Sequence, residues 1–243
     1  MQGKRLLDRL VDTDVIDDSG ELPVFSASFR DRVDDYETEL ALQDGEAIAE
    51  YVHEELPELG VPNADSTFDA DDAPYLAELL ALADHLADVE TTLQVFPTLD
   101  LFGETPPPMD GTPELFVQVT GPRLRTLAKV YERLIVYAWG YECPPCDTVQ
   151  GDFEELLEDP IEGIPMVSVC GEDCAGLLYE EFELRGAPTV LFVLDGRVDL
   201  RLEGAQHRNV LERELEKFPT ISSPYASGSD EGNTDSSEEA SDV

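Results

Sequence analysis

Two cysteines separated by two prolines form the segment of this sequence best suited to carry out chemistry. Cys143 and Cys146 follow an apolar run at residues 134–138 and precede an amphipathic segment at residues 149–157. A strand that ends in Cys-x-x-Cys at the start of a helix is typical of redox sites. The spacing lets the two sulfurs bridge, and the helix N-terminus lowers the pKa of the first thiol. The pattern therefore predicts that a Cys143 thiolate attacks a disulfide and that Cys146 resolves the mixed disulfide.

The elements that must position this loop lie in the second half of the chain. Strand-like and helix-like segments alternate there, and a hairpin follows through Asp195-Gly196, a strong turn dipeptide. The predicted strands are residues 115–119, 133–139, 166–170, 189–194 and 197–203. The predicted helices are residues 122–132, 146–158, 175–184 and 207–218. This order predicts an α/β core with a mixed sheet flanked by helices over residues 114–218.

The first part of the chain has helical periodicity instead. Apolar residues recur at steps of three and four in segments that begin near residues 28, 48 and 72. Residues 1–96 are therefore predicted to form an all-α N-terminal region. Residues 97–113 are rich in proline and glycine, which predicts a semi-stiff linker without regular helix or sheet. Residues 219–243 are acidic and almost free of apolar side chains, which predicts a disordered acidic tail.

Acidic side chains dominate the composition. The chain has 55 Asp and Glu against 15 Lys and Arg, a formal net charge of -40. Self-repulsion of that size destabilises a compact fold in dilute buffer, whereas the Debye length of about 3 Å in molar salt makes it tolerable. The composition predicts a protein from an extreme halophile or another salt-accumulating cell. It also argues against binding to nucleic acid or to an anionic membrane.

No segment indicates export or membrane insertion. The residues after Met1 include basic side chains but no apolar stretch of the length that a signal peptide needs. The longest apolar runs, residues 134–139 and 190–194, are far too short to span a bilayer. We therefore expect a soluble, cytoplasmic protein. In a reducing cytosol, Cys-x-x-Cys is more plausibly catalytic or metal-binding than a structural disulfide.

Residues 113–218 resemble the thioredoxin family. The resemblance rests on four motifs: Cys143-Pro144-Pro145-Cys146 after the second strand, the turn Arg185-Gly186-Ala187-Pro188-Thr189, Asp195-Gly196 in the hairpin, and Glu203-Gly204 before the last helix. It implies a thioredoxin-like fold with a cis peptide bond before Pro188, opposite the dithiol. It also implies thiol–disulfide oxidoreductase activity, with Cys143 as nucleophile and Cys146 as resolving thiol. Substrate contacts are expected from Trp139, Pro144, Pro145, Ala187 and Pro188. Trp139 is expected to pack beside the loop, and it can also be interpreted as a core aromatic residue.

The chain departs from the family pattern next to the dithiol. Glu142 stands directly before the nucleophile, where the family commonly has tryptophan, and Asp147 follows the second cysteine. A carboxylate at Glu142 should disfavour the thiolate and repel acidic partners. Tyr137 occupies the position where many members bury an aspartate that serves the resolving thiol. These departures argue against efficient general disulfide reduction but leave the fold unaffected.

A second cysteine pair, Cys170 and Cys174, follows the next predicted strand. If the fold holds, the strands that end near Cys143 and at Cys170 are parallel neighbours, about 4.8 Å apart at one edge of the sheet. Three interpretations remain open. The pair is a second redox dithiol, or all four thiolates bind zinc or an iron–sulfur cluster, or the two are small, partly buried apolar residues.

The sequence therefore supports two functions. The first is a thiol–disulfide oxidoreductase that acts on substrate proteins with disulfides. It has no flavin or nucleotide fingerprint and hence no predicted cofactor, so its electrons must come from a separate thioredoxin reductase-type donor. The alternative is a redox-silent or zinc-binding adaptor, in which the thioredoxin fold binds a protein partner and the helical region confers specificity.

Overall fold

The computed structural model describes residues 2–56, 68–103 and 105–221. The predicted acidic tail lies outside the described residues from residue 222 onward. None of the described helices is both long enough and apolar enough to cross a membrane.

The first part of the chain is mainly helical. A short two-stranded antiparallel sheet lies between its first two helices, and a 3₁₀ helix closes the region. The elements in chain order are α1 (Gln2–Asp12), β1 (Ile16–Asp17), β2 (Val24–Phe25), α2 (Ala27–Leu40), α3 (Gly45–Glu55), α4 (Ala73–Leu86), α5 (Val89–Val95) and the 3₁₀ helix Phe96–Phe102. Ser26 and Asp44 cap α2 and α3 with their side-chain oxygens, which satisfies backbone N–H groups in the first turn of each helix.

The second part forms a five-stranded mixed sheet. Its strands are β3 (Val117–Gln118), β4 (Arg133–Trp139), β5 (Met166–Cys170), β6 (Thr189–Leu194) and β7 (Arg197–Glu203). In space they follow the order β3-β5-β4-β6-β7. The first three are parallel, and β6 and β7 run antiparallel to them. β4 is the central strand of the sheet. Every residue of β4 from Leu134 onward is buried, which explains the apolar run in its sequence.

Helices cover both faces of this sheet. They are α6 (Gly121–Val130), α7 (Pro144–Leu156), α8 (Ala175–Phe182) and α9 (Arg208–Lys217). Strand residues that pack with α7 and α9, such as Tyr137, alternate with residues that pack with α6 and α8, such as Val136. This arrangement confirms the predicted α/β fold, a mixed sheet flanked by helices and preceded by a helical region, although the short sheet of β1 and β2 means that this region is not all-α.

The N-terminal helices share one hydrophobic core with the α6 and α8 face of the sheet. Buried residues of α2 and α4, among them Phe29 and Leu80, belong to the same contiguous cluster as Leu127 and Val136. The opposite face has a separate cluster that surrounds Phe153. The helical region therefore packs on the side of the sheet that α6 and α8 cover. The predicted domain boundaries stay a prediction.

Ion pairs join α6 to the helical region. The three cations of α6 pair with carboxylates far earlier in the sequence: Arg123 with Glu78 and Asp100, Arg125 with Asp69 and Asp71, and Lys129 with Asp72. Arg123 is buried and also lies over the rings of Tyr75 and Phe96. A chain with few cations thus concentrates three of them in the contact between its two parts.

Local structure differs from the sequence prediction in three places. Residues 2–12 form a helix that the sequence analysis did not assign. The predicted helix that begins near residue 72 ends at Leu86 because Ala87 adopts a left-handed conformation, with φ 50°, and α5 follows as a separate helix. Residues 97–102, predicted to lack helix, belong to the 3₁₀ helix. Burial of Leu99 and the bonds of Asp100 to the backbone N–H of Thr120 and the guanidinium of Arg123 hold that helix in place.

Candidate redox site

Cys143 and Cys146 are joined by a disulfide bond at the N-terminus of α7, with their Cα atoms 5.2 Å apart. Cys143 is the N-cap residue, and its carbonyl oxygen accepts hydrogen bonds from the backbone N–H groups of Cys146 and Asp147 at 2.8 and 3.3 Å. Cys143 is partly exposed, whereas Cys146 is only 3% exposed. The two sulfurs therefore differ in access, and Cys143 is the one that a partner can reach.

The two prolines occupy the first turn of α7. At these positions a helix leaves backbone N–H groups without intrahelical partners, so proline costs no hydrogen bond. Both Pro144 and Pro145 are exposed and flank the disulfide. Glu142, directly before the first cysteine, is exposed and left-handed at φ 47°. The loop thus presents one sulfur, two rigid rings and one carboxylate to solvent.

Tyr137 lies beneath the second cysteine. Its hydroxyl donates a 2.9 Å hydrogen bond to the carbonyl oxygen of Cys146, and its ring packs edge-on against Phe116 and Phe153. Burial, followed by the nearby charge of Asp147, raises the pKa of Tyr137 above its usual value. The hydroxyl therefore remains a proton donor. A phenol replaces the buried carboxylate that the resemblance led us to look for, and it supports the loop through a neutral hydrogen bond.

Trp139 is 2% exposed and offers almost no surface to a substrate. Its indole N–H donates to Oε1 of Gln118 at 2.9 Å, and that oxygen also accepts from the hydroxyl groups of Thr112 and Ser168. A Cβ atom added to Gly111 would lie 2.3 Å from the indole ring. The interpretation of Trp139 as a core aromatic beside the loop is the one the structure supports. Sequence reasoning missed both Gln118 and Gly111.

The peptide bond between Ala187 and Pro188 is cis, which confirms the expectation from the resemblance. Pro188 is buried and its carbonyl oxygen accepts from the backbone N–H of Gly204 at 2.8 Å, whereas Ala187 is exposed. The next residue, Thr189, pairs with Ala138 in β4. The cis peptide therefore lies beside the end of β4, at the same edge of the sheet as the disulfide loop.

Cys170 is the last residue of β5 and pairs with Trp139 in β4, as predicted for parallel neighbours. Both Cys170 and Cys174 are free thiols. Cys170 belongs to the core cluster that contains Cys146, whereas Cys174 packs at the edge of the other cluster. Within residues 2–56, 68–103 and 105–221, no three His, Cys, Asp or Glu side chains form a group suited to a metal ion. The zinc interpretation of the four cysteines stays a prediction.

Tyr141 connects the two cysteine loops. Its backbone N–H donates to Oε1 of Glu172 and its hydroxyl to Oδ2 of Asp173, both at 3.2 Å. The Glu172 carboxylate fits against Gly140, where a Cβ atom would come within 2.8 Å of it. Tyr141 is 46% exposed, and with Glu142 it forms an apolar and acidic rim next to Cys143.

No protein-family model matches the chain. Solved structures that are similar to it include three thioredoxins. One is a mutant thioredoxin from Halobacterium salinarum NRC-1, with 20% identity and a TM-score of 0.37, over 44% of this chain and 92% of that chain. Another is oxidised mitochondrial thioredoxin 3 from Saccharomyces cerevisiae, with 19% identity and a TM-score of 0.37, over 42% and 94%. The third is a thioredoxin from Malassezia sympodialis, with 19% identity and a TM-score of 0.39, over 44% and 94%.

Proposed function

We propose that this protein is a thiol–disulfide oxidoreductase that exchanges disulfides with protein substrates through Cys143 and Cys146. The observation that carries the proposal is the bonded pair at the N-terminus of α7, with one sulfur accessible and the other buried. An accessible nucleophile and a protected resolving thiol are what a two-step exchange requires, because an external thiol must not compete for the second step.

The exchange proceeds in two balanced steps. In the reduced protein, the Cys143 thiolate attacks one sulfur of the substrate disulfide, and the other substrate sulfur leaves as a thiolate. Cys146 then attacks the Cys143 sulfur, which releases the second substrate sulfur and closes the Cys143–Cys146 disulfide. Two electrons pass to the substrate. A separate thioredoxin reductase-type donor in a reducing cytoplasm restores the dithiol.

The surface next to Cys143 suits an extended substrate segment that is not acidic. Pro144 and Pro145 are exposed on one side, and Ala187 precedes the cis peptide at the same sheet edge. We assign substrate contact to these residues and a positioning role to Trp139. The nearby carboxylates of Glu142 and Asp147 repel acidic segments and favour basic ones. We also place the protein in a salt-accumulating cell, on the strength of its net charge of -40.

Trapping with matched serine variants tests this function. The full chain is reduced in molar KCl and mixed with a lysine-containing peptide that has one intramolecular disulfide. We expect Cys146→Ser to accumulate a covalent peptide adduct at Cys143, because the second step is blocked. Cys143→Ser should form none, and the wild type should turn over without a lasting adduct. If the wild type leaves the peptide disulfide intact, or if both variants form adducts equally, the oxidoreductase proposal fails and the adaptor function takes its place.

A further inference from the structure

A second pair of thiols lies beside the redox loop, and the proposed function does not use it. Cys170 ends β5, and Cys174 is the N-cap residue of α8, with three residues between them. The Cys174 thiol donates a hydrogen bond to the carbonyl oxygen of Cys170 at 3.0 Å. Because four covalent bonds separate that oxygen from the sulfur of Cys170, one thiol already rests against the residue that carries the other.

Cys174 is the accessible member of the pair, and it sits at the N-terminus of α6. Its side chain is partly exposed, and a Cβ atom on Gly121 would lie 2.6 Å from the Cβ of Cys174. The Cys174 sulfur therefore lies next to the first residue of α6. Because Cys174 is partly exposed and Cys170 is buried, Cys174 is the thiol that attacks an external disulfide.

Cys170 is 2% exposed, yet its thiol has a polar partner. Burial raises the pKa of Cys170, so its ionisation needs a nearby proton acceptor. Its own thiol lies 3.7 Å from Oε2 of Glu172, a carboxylate that can accept the proton. A cysteine that serves only as an apolar residue needs no such acceptor. A proton acceptor beside a buried thiol is what a resolving thiol requires.

We propose that Cys170 and Cys174 form a second dithiol–disulfide couple, which a low-molecular-weight disulfide oxidises through Cys174, independently of exchange at Cys143. The Cys174 thiolate attacks the small disulfide, forms a mixed disulfide and releases one thiolate. Cys170 then attacks the Cys174 sulfur while its proton passes to Glu172. The second small thiolate leaves, so two thiols lose two electrons and one small disulfide becomes two thiols.

This couple is slow and acts on the redox loop through Tyr141. Burial first, and then the charges of Cys170 and Asp173, raise the pKa of Cys174 to about 11, so its thiolate is scarce at neutral pH. Closing the bridge ends the hydrogen bond between Cys174 and the Cys170 carbonyl and changes the loop at residues 171–173. That loop holds Tyr141, two residues before Cys143, so the state of the second pair alters the rim of the first.

Peptide mapping can detect the Cys170–Cys174 bridge, because a glutamate lies between the two cysteines and allows them to be cleaved into separate fragments. No Lys or Arg occurs from residue 134 to 184, so trypsin leaves all four cysteines in one peptide. Cleavage after glutamate instead separates Cys170, in residues 163–172, from Cys174, in residues 173–180. The other pair stays within one fragment. The full-length variant Cys143→Ser/Cys146→Ser is incubated with oxidised glutathione at mildly alkaline pH, alkylated under denaturing conditions and cleaved after glutamate.

We expect the two fragments to be recovered joined by a disulfide. Adding Cys170→Ser should leave glutathione on Cys174, and adding Cys174→Ser should leave Cys170 free for alkylation. Glu172→Gln should prolong the glutathione adduct several-fold, whereas Glu180→Gln, which changes an exposed residue of α8, should not change its lifetime. The mass of the intact protein measures these lifetimes, because Glu172→Gln removes the cleavage site between the two cysteines. A lasting adduct on Cys174 beside a free Cys170, or equal reaction of Cys170 without Cys174, overturns the proposal. If the serine variants do not fold, the same mapping on the wild type, oxidised beforehand at Cys143 and Cys146, gives the same distinction.

Discussion

The hydroxyl of Tyr137 donates a 2.9 Å hydrogen bond to the carbonyl oxygen of Cys146, across nine residues of chain. The bond ties the central strand of the sheet to the first turn of the helix that holds the disulfide. It is buried and neutral, so neither salt nor pH near neutrality weakens it. The phenol of Tyr137 therefore supports the redox loop, and replacing it with phenylalanine removes this hydrogen bond by deleting one oxygen atom.

Tyr137→Phe should destabilise the oxidised protein more than the reduced one, because the bond supports the turn that the disulfide closes. We expect a loss of about 1 kcal/mol in the oxidised state and a potential that is higher by about 20 mV. Tyr131→Phe is the matched control, since it removes another buried phenol–carbonyl bond, to Leu93, far from the dithiol. Urea unfolding in both redox states and a glutathione titration measure these effects. An equal loss in both states for Tyr137→Phe contradicts the prediction.

Arg123→Met should be strongly destabilising, because it leaves the carboxylates of Glu78 and Asp100 without their buried cation. Removing one partner of a buried ion pair costs about 3–5 kcal/mol. The control is Arg9→Met, which breaks the exposed pair with Asp88 and should cost less than about 1 kcal/mol.

The triple variant Arg123→Met/Glu78→Gln/Asp100→Asn tests the cause. It should regain most of the stability in urea unfolding, because no unpaired charge remains. If it stays as unstable as Arg123→Met, the loss comes from packing against Tyr75 and Phe96 rather than from charge.

Gly111→Ala should destabilise the fold around the lone tryptophan. The added Cβ atom would meet the indole of Trp139 at 2.3 Å, which forces the segment before β3 or the ring to move. Overpacking of this kind costs about 1–3 kcal/mol. Gly151→Ala, inside α7 with open space around it, should instead stabilise the helix by up to about 1 kcal/mol. Thermal unfolding of the two variants should move in opposite directions.

The alkylation rate of Cys174 should reveal its raised pKa. With Cys143 and Cys146 bonded and Cys170 buried, iodoacetamide reacts at Cys174 in proportion to its thiolate fraction. The folded protein should titrate with a midpoint near 11, against 9.0 for the unfolded chain. At neutral pH the folded rate should thus be about 100-fold below the unfolded rate, and it should climb tenfold per pH unit. A plateau below pH 9 would show that burial does not hold this thiol protonated.

Stability should rise with salt and then level off. Repulsion within a chain of net charge -40 is screened as the Debye length shortens to about 3 Å near 1 M salt, so most of the gain should occur below that concentration. A purely solvent-exclusion effect would keep increasing with concentration. Unfolding midpoints in a KCl series distinguish the two. A midpoint that does not change with KCl contradicts the assignment to a salt-accumulating cell.

The sequence predicted the redox loop and its sheet well because their information is local. The apolar run in β4, the Cys-x-x-Cys spacing and the Asp195-Gly196 turn are each contained within a few residues. The prediction that the strands ending near Cys143 and at Cys170 are parallel neighbours followed from the fold and from the handedness of the crossover between them. Helices with a regular apolar stripe, such as α2, were also predicted from the spacing of their apolar residues.

What could not be predicted depends on partners distant in sequence. Gln118 is one polar residue in a two-residue strand, and only the fold brings it to the indole of Trp139. The partners of Arg123 lie 45 and 23 residues earlier, so no sequence window contains them. The break at Ala87 lacks the glycine that usually marks a left-handed residue. The hydrogen bond from the Cys174 thiol to the Cys170 carbonyl likewise depends on the turn between β5 and α8.

The shared core and the ion pairs of α6 also mean that the first part of the chain is synthesised before its partners. Glu78 and Arg123 are 45 residues apart, so at a translation rate of about 5–20 residues per second the carboxylate is made seconds before its cation. During that interval the helices of the first part expose an apolar face, and their acidic side chains have no arginine or lysine of α6 to meet. Dissolved cations have to neutralise those carboxylates until the residues that form α6 and the sheet have been synthesised.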